Sequence, residues 1–167
     1  MADRTRSSVE VGASPKEVMA VISDFPAYPE WATALRSAEV LEKDGEGRAR
    51  RVRFSLDAGV IRDSYVLGYE WDGDRGVRWD LAEPGSVISA MTGGYYLAEA
   101  AGGTEVTYEL TVDVRVPLLG MLKRKAEKVI IETALKGLKA RAESQPADAA
   151  SARDGGEARG NMEEGTQ

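Results

Sequence analysis

The chain has 167 residues, a net charge of −6, 43% hydrophobic and 30% charged residues. That suits one packed domain and lacks the basic footprint of a nucleic-acid binder. It has no Cys and no His, which excludes disulfides, thiolate and imidazole metal sites, a Cys nucleophile and any Ser-His-Asp arrangement. No run approaches the ~20 apolar residues of a membrane span, so stable membrane insertion is not expected. Residues 1–6 are polar with no apolar segment behind them, which predicts no secretory signal and a cytoplasmic location.

Residues 4–11 read as a first strand. Ser14-Pro15-Lys16-Glu17 follows, with Ser14 as N-cap, Pro15 at the first helical position and Glu17 completing a capping box. The helix it opens has Val18, Val21 and Ile22 on one face and stops near Asp24-Phe25-Pro26. A short second helix is predicted over residues 29–35.

Strand signals then dominate: residues 37–42, 50–56, 61–71, 77–81, 87–99 and 104–116. Between them stand turn signals such as Asp44-Gly45-Glu46-Gly47 and Asp72-Gly73-Asp74-Arg75-Gly76. Val106, Tyr108, Leu110, Val112, Val114 and Val116 alternate with polar residues, the cleanest period of two in the chain. Ile61, Tyr65, Leu67, Tyr69 and Trp71 share a face of their strand. Gly93-Gly94 falls inside a strand pattern and predicts a bulge or sharp bend. Consecutive strands joined by short turns imply an antiparallel meander.

After Pro117, residues 118–143 read as one helix of roughly 35–40 Å. Its predicted apolar stripe is Leu119, Leu122, Ala126, Val129, Ile130, Thr133 and Leu138, with Gly137 beside it. Glu127 falls among the charged residues of the predicted outer face. Residues 143–167 hold six acidic and two basic residues, and residues 144–167 have too little apolar content to fold; they are predicted to be a disordered acidic tail. The predicted domain is therefore residues 1–143. The fold class is α+β: about seven curved antiparallel strands closed by one long helix.

These features resemble a known family. The strand, the Ser-Pro-Lys-Glu-Val helix, the segment Asp24-Phe25-Pro26-Ala27-Tyr28-Pro29-Glu30-Trp31, the meander with Gly103-Thr104-Glu105-Val106-Thr107-Tyr108, and Val116-Pro117 before a long last helix are similar to the polyketide cyclase/dehydrase and lipid-transport proteins. These belong to the Bet v 1-like, START-related superfamily. The resemblance covers residues 4–142. It implies a helix-grip fold, with two short helices after the first strand and a hydrophobic cavity between sheet and last helix. It also implies a hydrophobic small-molecule partner: a lipid, quinone or polyketide-like compound.

Candidate ligand-binding residues are Tyr28 and Trp31 near the short helices, and Phe54, Tyr65, Trp71, Trp79, Tyr95 and Tyr108 on the strands. Leu122, Ala126, Ile130 and Thr133 join them from the last helix. The plainer reading of each aromatic residue is core packing. Asp63 shares a face with Tyr65 and Ile61. A carboxylate there is either a ligand contact or general base, or an edge residue paired with Arg62 or Arg53. Asp63 and Tyr65 are thus the weak catalytic candidates. No metal, nucleotide or other cofactor site is visible, and nothing sets an oligomeric state. Three functions stay open: a carrier of a hydrophobic molecule, a polyketide aromatase/cyclase or dehydratase using cavity Tyr, Asp or Arg, and a protein-interaction module.

Overall fold

The computed structural model describes residues 4–59, 61–115 and 120–144. Val116 and Pro117, and the predicted acidic tail beyond Ser144, lie outside the described residues. Strand β1 (Thr5–Val11) leads into α1 (Pro15–Ile22), a 3-10 turn (Phe25–Ala27) and α2 (Tyr28–Trp31). Strands β2 (Leu35–Lys43), β3 (Ala49–Asp57), β4 (Arg62–Asp72), β5 (Gly76–Glu83), β6 (Ile88–Ala100) and β7 (Gly103–Val114) follow, then α3 (Gly120–Ser144). The seven strands form one antiparallel curved sheet in the order β1-β7-β6-β5-β4-β3-β2. Only β1 leaves the meander, pairing Val9 with Val106 across to β7. Register shifts between Val40 and Glu42 in β2 and between Ile88 and Ala90 in β6 mark where the strands bend.

Ser14 caps α1 by accepting the Glu17 N–H, with Pro15 at the helix start, as the capping signal predicts. Alternation fixes the faces of the strands. Val52, Phe54 and Leu56, then Val106, Tyr108, Leu110 and Val112, are all buried. Helix α3 packs across β1 and β7 and against α1 and α2, burying the face the sheet leaves apolar. None of the described helices is long and apolar enough to cross a membrane.

Three expectations are corrected. Helix α2 ends at Trp31 instead of Leu35, and Leu35 opens β2. Ala32 leaves helical geometry at φ −100° and ψ 72°, where α3 lies so close that a Cβ at Gly137 would collide with the Trp31 carbonyl. Secondly, the stripe of α3 is rotated from the predicted one. Of the predicted stripe Ala126, Ile130 and Leu138 are buried, joined by Glu127, Ile131, Ala134 and Leu135, whereas Leu122 and Val129 are exposed. Glu127 holds this register. Its carboxylate accepts the Thr5 hydroxyl at 2.6 Å and the Val112 N–H at 2.8 Å. Pairing of β1 with β7 stops at Leu110, so the carboxylate supplies an acceptor that β1 does not extend far enough to give. Thirdly, Gly93 and Gly94 form no bulge: both stay in register with β5 and β7. They are sites of close approach.

Candidate functional site

The concave face of the sheet and α3 enclose a cavity of about 40 Å³. Its walls are set by alternation on four neighbouring strands. Tyr65, Leu67 and Tyr69 come from β4, Trp79 from β5, Met91 and Tyr95 from β6, and Tyr108 and Leu110 from β7. Tyr28, Ala32, Ala34 and Leu35 close one end, and Ile130 and Ala134 form the roof on α3. The roof residues facing the cavity are a short aliphatic and an alanine, which is why space remains beneath the helix.

The aromatic rings pack edge to face. Tyr95 and Tyr108 lie 4.5 Å apart at 70°, and Trp79 meets Tyr108 at 5.6 Å and 81°. Trp79 can lie flat in the wall because its strand neighbour is Gly93, where a Cβ would stand 2.6 Å from the indole.

The polar inventory of the cavity is unusual. Tyr28 donates its hydroxyl to the Ile22 carbonyl. Tyr65, Tyr69, Tyr95 and Tyr108 line the cavity, and no hydrogen bond joins their hydroxyls to a described residue. Among the described residues the buried side-chain polar atoms without a partner are the indole nitrogens of Trp31 and Trp79. Burial pushes the phenols of Tyr28, Tyr65, Tyr69, Tyr95 and Tyr108 well above the usual phenol range, and for all but Tyr108 the neighbouring Tyr108 pushes further. All five are therefore neutral at ordinary pH. The site is an apolar chamber carrying neutral hydrogen-bond donors and no described carboxylate, amine or guanidinium in its lining.

Of the residues expected from sequence, Tyr28, Tyr65, Trp79, Tyr95, Tyr108 and Ile130 come together here. Phe54 is buried one layer behind, with its ring centroid 6.0 Å from both Tyr28 and Tyr65. Trp71 is half-buried outside the chamber. Its indole donates to the Ala49 carbonyl at 2.7 Å, and the Arg48 guanidinium lies 5.0 Å from its ring. Trp31 packs on Tyr28 at 4.8 Å and faces an outer groove beside Gly137. Leu122, Ala126 and Thr133 line a second groove, outside the cavity. Tyr69 and Leu67 were missed as site residues although they share the face of Tyr65; period two alone would have found them.

Asp63 does not enter the cavity, and it pairs with neither Arg62 nor Arg53. Its carboxylate accepts the N–H groups of Ser86, Val87 and Ile88 at 2.7–2.9 Å. Burial by itself would raise this acid, but those bonds from Ile88, Val87 and Ser86, with one from Ser64, hold it below the usual carboxylate range. A lowered acid anchoring a turn is the reverse of a general base held neutral near pH 7. Arg62 instead pairs with Asp57, and Arg53 with Glu39.

The second groove is open to solvent and measures about 490 Å³. It runs between α3 (Leu122, Lys125, Ala126, Val129, Thr133) and the bank formed by Thr33, Ala34, Asp57, Ala58 and Gly59. Ala34 borders both the groove and the cavity, so only that short segment separates the chamber from solvent there. Among the described residues no cluster of acidic side chains is placed to hold a metal ion.

A family model described as polyketide cyclase/dehydrase and lipid transport matches residues 2–143. Among solved structures, a START superfamily protein from Mycobacterium smegmatis is similar at 21% identity, with a TM-score of 0.78 over 86% of this chain and 99% of that one. The Zhui aromatase/cyclase from Streptomyces sp. R1128 is similar at 18% identity, with a TM-score of 0.73 over 89% of this chain and 98% of that one. A Thermus thermophilus protein, TTHA0849, is similar at 24% identity, with a TM-score of 0.73 over 87% of this chain and 100% of that one. At these identities the likeness is one of fold, which is START/Bet v 1-like.

Proposed function

The chain belongs to the polyketide cyclase/dehydrase and lipid-transport family, and on that footing we propose that it holds a neutral, largely apolar small molecule bearing carbonyl or hydroxyl oxygens between its sheet and α3. A quinone or polyketide-like compound fits this description better than a fatty acid. The observation that carries the reading is an apolar chamber walled by four neutral tyrosines, Tyr65, Tyr69, Tyr95 and Tyr108, and by Trp79, whose buried indole N–H has no partner among the described residues. A buried donor without an acceptor costs stability, and a ligand oxygen would give the Trp79 N–H what it lacks and accept from the tyrosine hydroxyls. A carboxylate ligand would find no cation in the lining and would be held poorly.

A cavity of about 40 Å³ holds no more than a few waters, whereas small-molecule sites span roughly 300–1,000 Å³. Binding therefore requires the chamber to widen. Met91, an unbranched and adaptable wall residue, and the small roof residue Ala134 are where it can yield.

A second reading, cyclisation or dehydration of a poly-ketone, draws on the likeness to the Streptomyces aromatase/cyclase. Tyrosine hydroxyls could polarise a ketone, but the described lining offers no ionised base to take a proton from carbon. The carrier reading is preferred for that reason.

The test is native mass spectrometry of purified protein, with organic extraction of whatever accompanies it. A near-stoichiometric apolar species with oxygen functions would support the reading. An apo mass, together with no quenching of tryptophan fluorescence by a quinone panel, would reject it.

A further inference from the structure

The first half of α3 presents an arc that the fold leaves uncovered. Met121 is 82% exposed, Leu122 38% and Val129 40%, large values for apolar side chains. At 100° per residue, positions 128, 121, 125, 129 and 122 fall in that order across about 120° of the helix surface. Lys125 and Lys128, both exposed, thus stand among three exposed apolar residues.

The same arc borders the groove that Ala34 shares with the cavity. Arg36 and Arg62 stand at the opposite bank, joined to Asp57. Charge is distributed to match. Helix α3 carries seven Lys or Arg against three Glu, and one of those, Glu127, is buried, while the whole chain has a net charge of −6. An acidic protein has concentrated cations beside its exposed apolar side chains. Such a pairing suits a surface that is anionic at its face and apolar beneath.

We propose that this arc docks on an anionic phospholipid bilayer, with Met121, Leu122 and Val129 dipping below the headgroups and Lys125 and Lys128 meeting the phosphates. Resting on the ligand reading above, the groove would then open toward the bilayer, so that an apolar ligand passes between membrane and cavity without crossing water. The overall negative charge does not prevent this, because at physiological salt only charges within about 8 Å of the lipid surface act strongly.

The experiment is flotation of the full chain with vesicles of phosphatidylcholine alone, or of phosphatidylcholine with about 30% phosphatidylserine, an anionic lipid of the kind that draws basic segments. Vesicle-free binding of an anthraquinone is measured in parallel by tryptophan quenching. Wild type is expected to float with the anionic vesicles, and raising salt to about 0.5 M should weaken this severalfold. Lys125→Gln with Lys128→Gln is expected to reduce binding about 30-fold, and Val129→Asp to reduce it severalfold. Thermal unfolding of each variant checks that the fold is kept, and the salt series needs no variant. No flotation, or flotation indifferent to lipid charge, salt and these substitutions, would overturn the proposal. So would a dimer that Val129→Asp dissolves in protein that ignores vesicles, since the arc would then be covered by a second copy. Quinone binding without vesicle binding overturns the docking face alone; vesicle binding by protein that has an apo mass and ignores the quinone panel leaves the docking face standing and rejects the cavity reading.

Discussion

Trp79 lies across Gly93, its neighbour on the adjacent strand, so closely that a Cβ there would stand 2.6 Å from the indole ring. The ring is 5% exposed, flanked by Tyr69, Tyr95 and Tyr108. Any side chain at residue 93 must push it into the cavity. Gly93→Ala is therefore expected to cost about 1–3 kcal/mol through overpacking and to shrink what space the chamber has. Chemical denaturation should show the lost stability. Near-ultraviolet circular dichroism should show the displaced indole, and quinone affinity should fall. Unchanged stability and spectrum would mean that the ring has another place to go.

The four cavity tyrosines make opposite predictions for stability and for binding. Their hydroxyls make no hydrogen bond to a described residue, so Tyr→Phe at residue 65, 69, 95 or 108 breaks no such bond in the free protein. Stability of the free protein should stay within about 0.5 kcal/mol of wild type or rise. Affinity for an oxygen-bearing ligand should fall about 5- to 10-fold at whichever tyrosines contact it, matching the loss of one hydrogen bond. A core-packing role would leave both quantities nearly unchanged. A hidden structural hydrogen bond would lower stability by about 1 kcal/mol or more instead.

Which parts of this were readable in the sequence follows from how local each signal is. The alternation through Val106, Tyr108, Leu110 and Val112 depends only on its own strand, and it puts all four on the face that is buried. The Ser14–Glu17 cap is equally local. In helix α3 the predicted Ala126, Ile130 and Leu138 are buried, but the buried face also includes Glu127 and Ala134 while Leu122 and Val129 are exposed; a hydrophobic stripe drawn by polarity is turned part of the way round the helix. Asp63 misled because its partners, Ser86 to Ile88, belong to a turn more than twenty positions away. Gly85 betrays that contact only in three dimensions, where a Cβ would collide with the Asp63 carboxylate. The cavity's volume depends on the crossing of α3 over the sheet, which no periodicity encodes.

Glu127 ties α3 to both β1 and β7, through the Thr5 hydroxyl and the Val112 N–H. It is 1% exposed. Glu127→Ala leaves a buried N–H and a hydroxyl unsatisfied, so a loss of about 3 kcal/mol is expected. Glu127→Gln can turn its carbonyl to Val112 and its amide to the Thr5 oxygen, and should cost only about 1 kcal/mol. Denaturant midpoints of the two variants, compared at equal m-value, decide this; equal losses would mean that the charge, and not the acceptor geometry, holds the helix.

Asp63 makes a prediction in pH. Its carboxylate is more acidic in the folded protein than an ordinary aspartate, despite the opposing effect of burial, because Ile88, Val87, Ser86 and Ser64 donate backbone N–H groups to it. A depressed carboxylate stabilises the fold fully above its unfolded value, near about 3.9. That contribution fades as pH falls through the lower folded value, because protonation removes the charge the N–H groups hold. Wild type should thus lose stability as the medium is acidified below about pH 4. Asp63→Asn keeps one acceptor oxygen without the charge. At about pH 7 it should be less stable than wild type by about 1 kcal/mol, and the gap should close toward about pH 3. The measurement is the unfolding midpoint of both proteins across that range. A gap that stays constant throughout would show that the turn at Ser86 is held by shape, and that the charge on Asp63 contributes nothing to it.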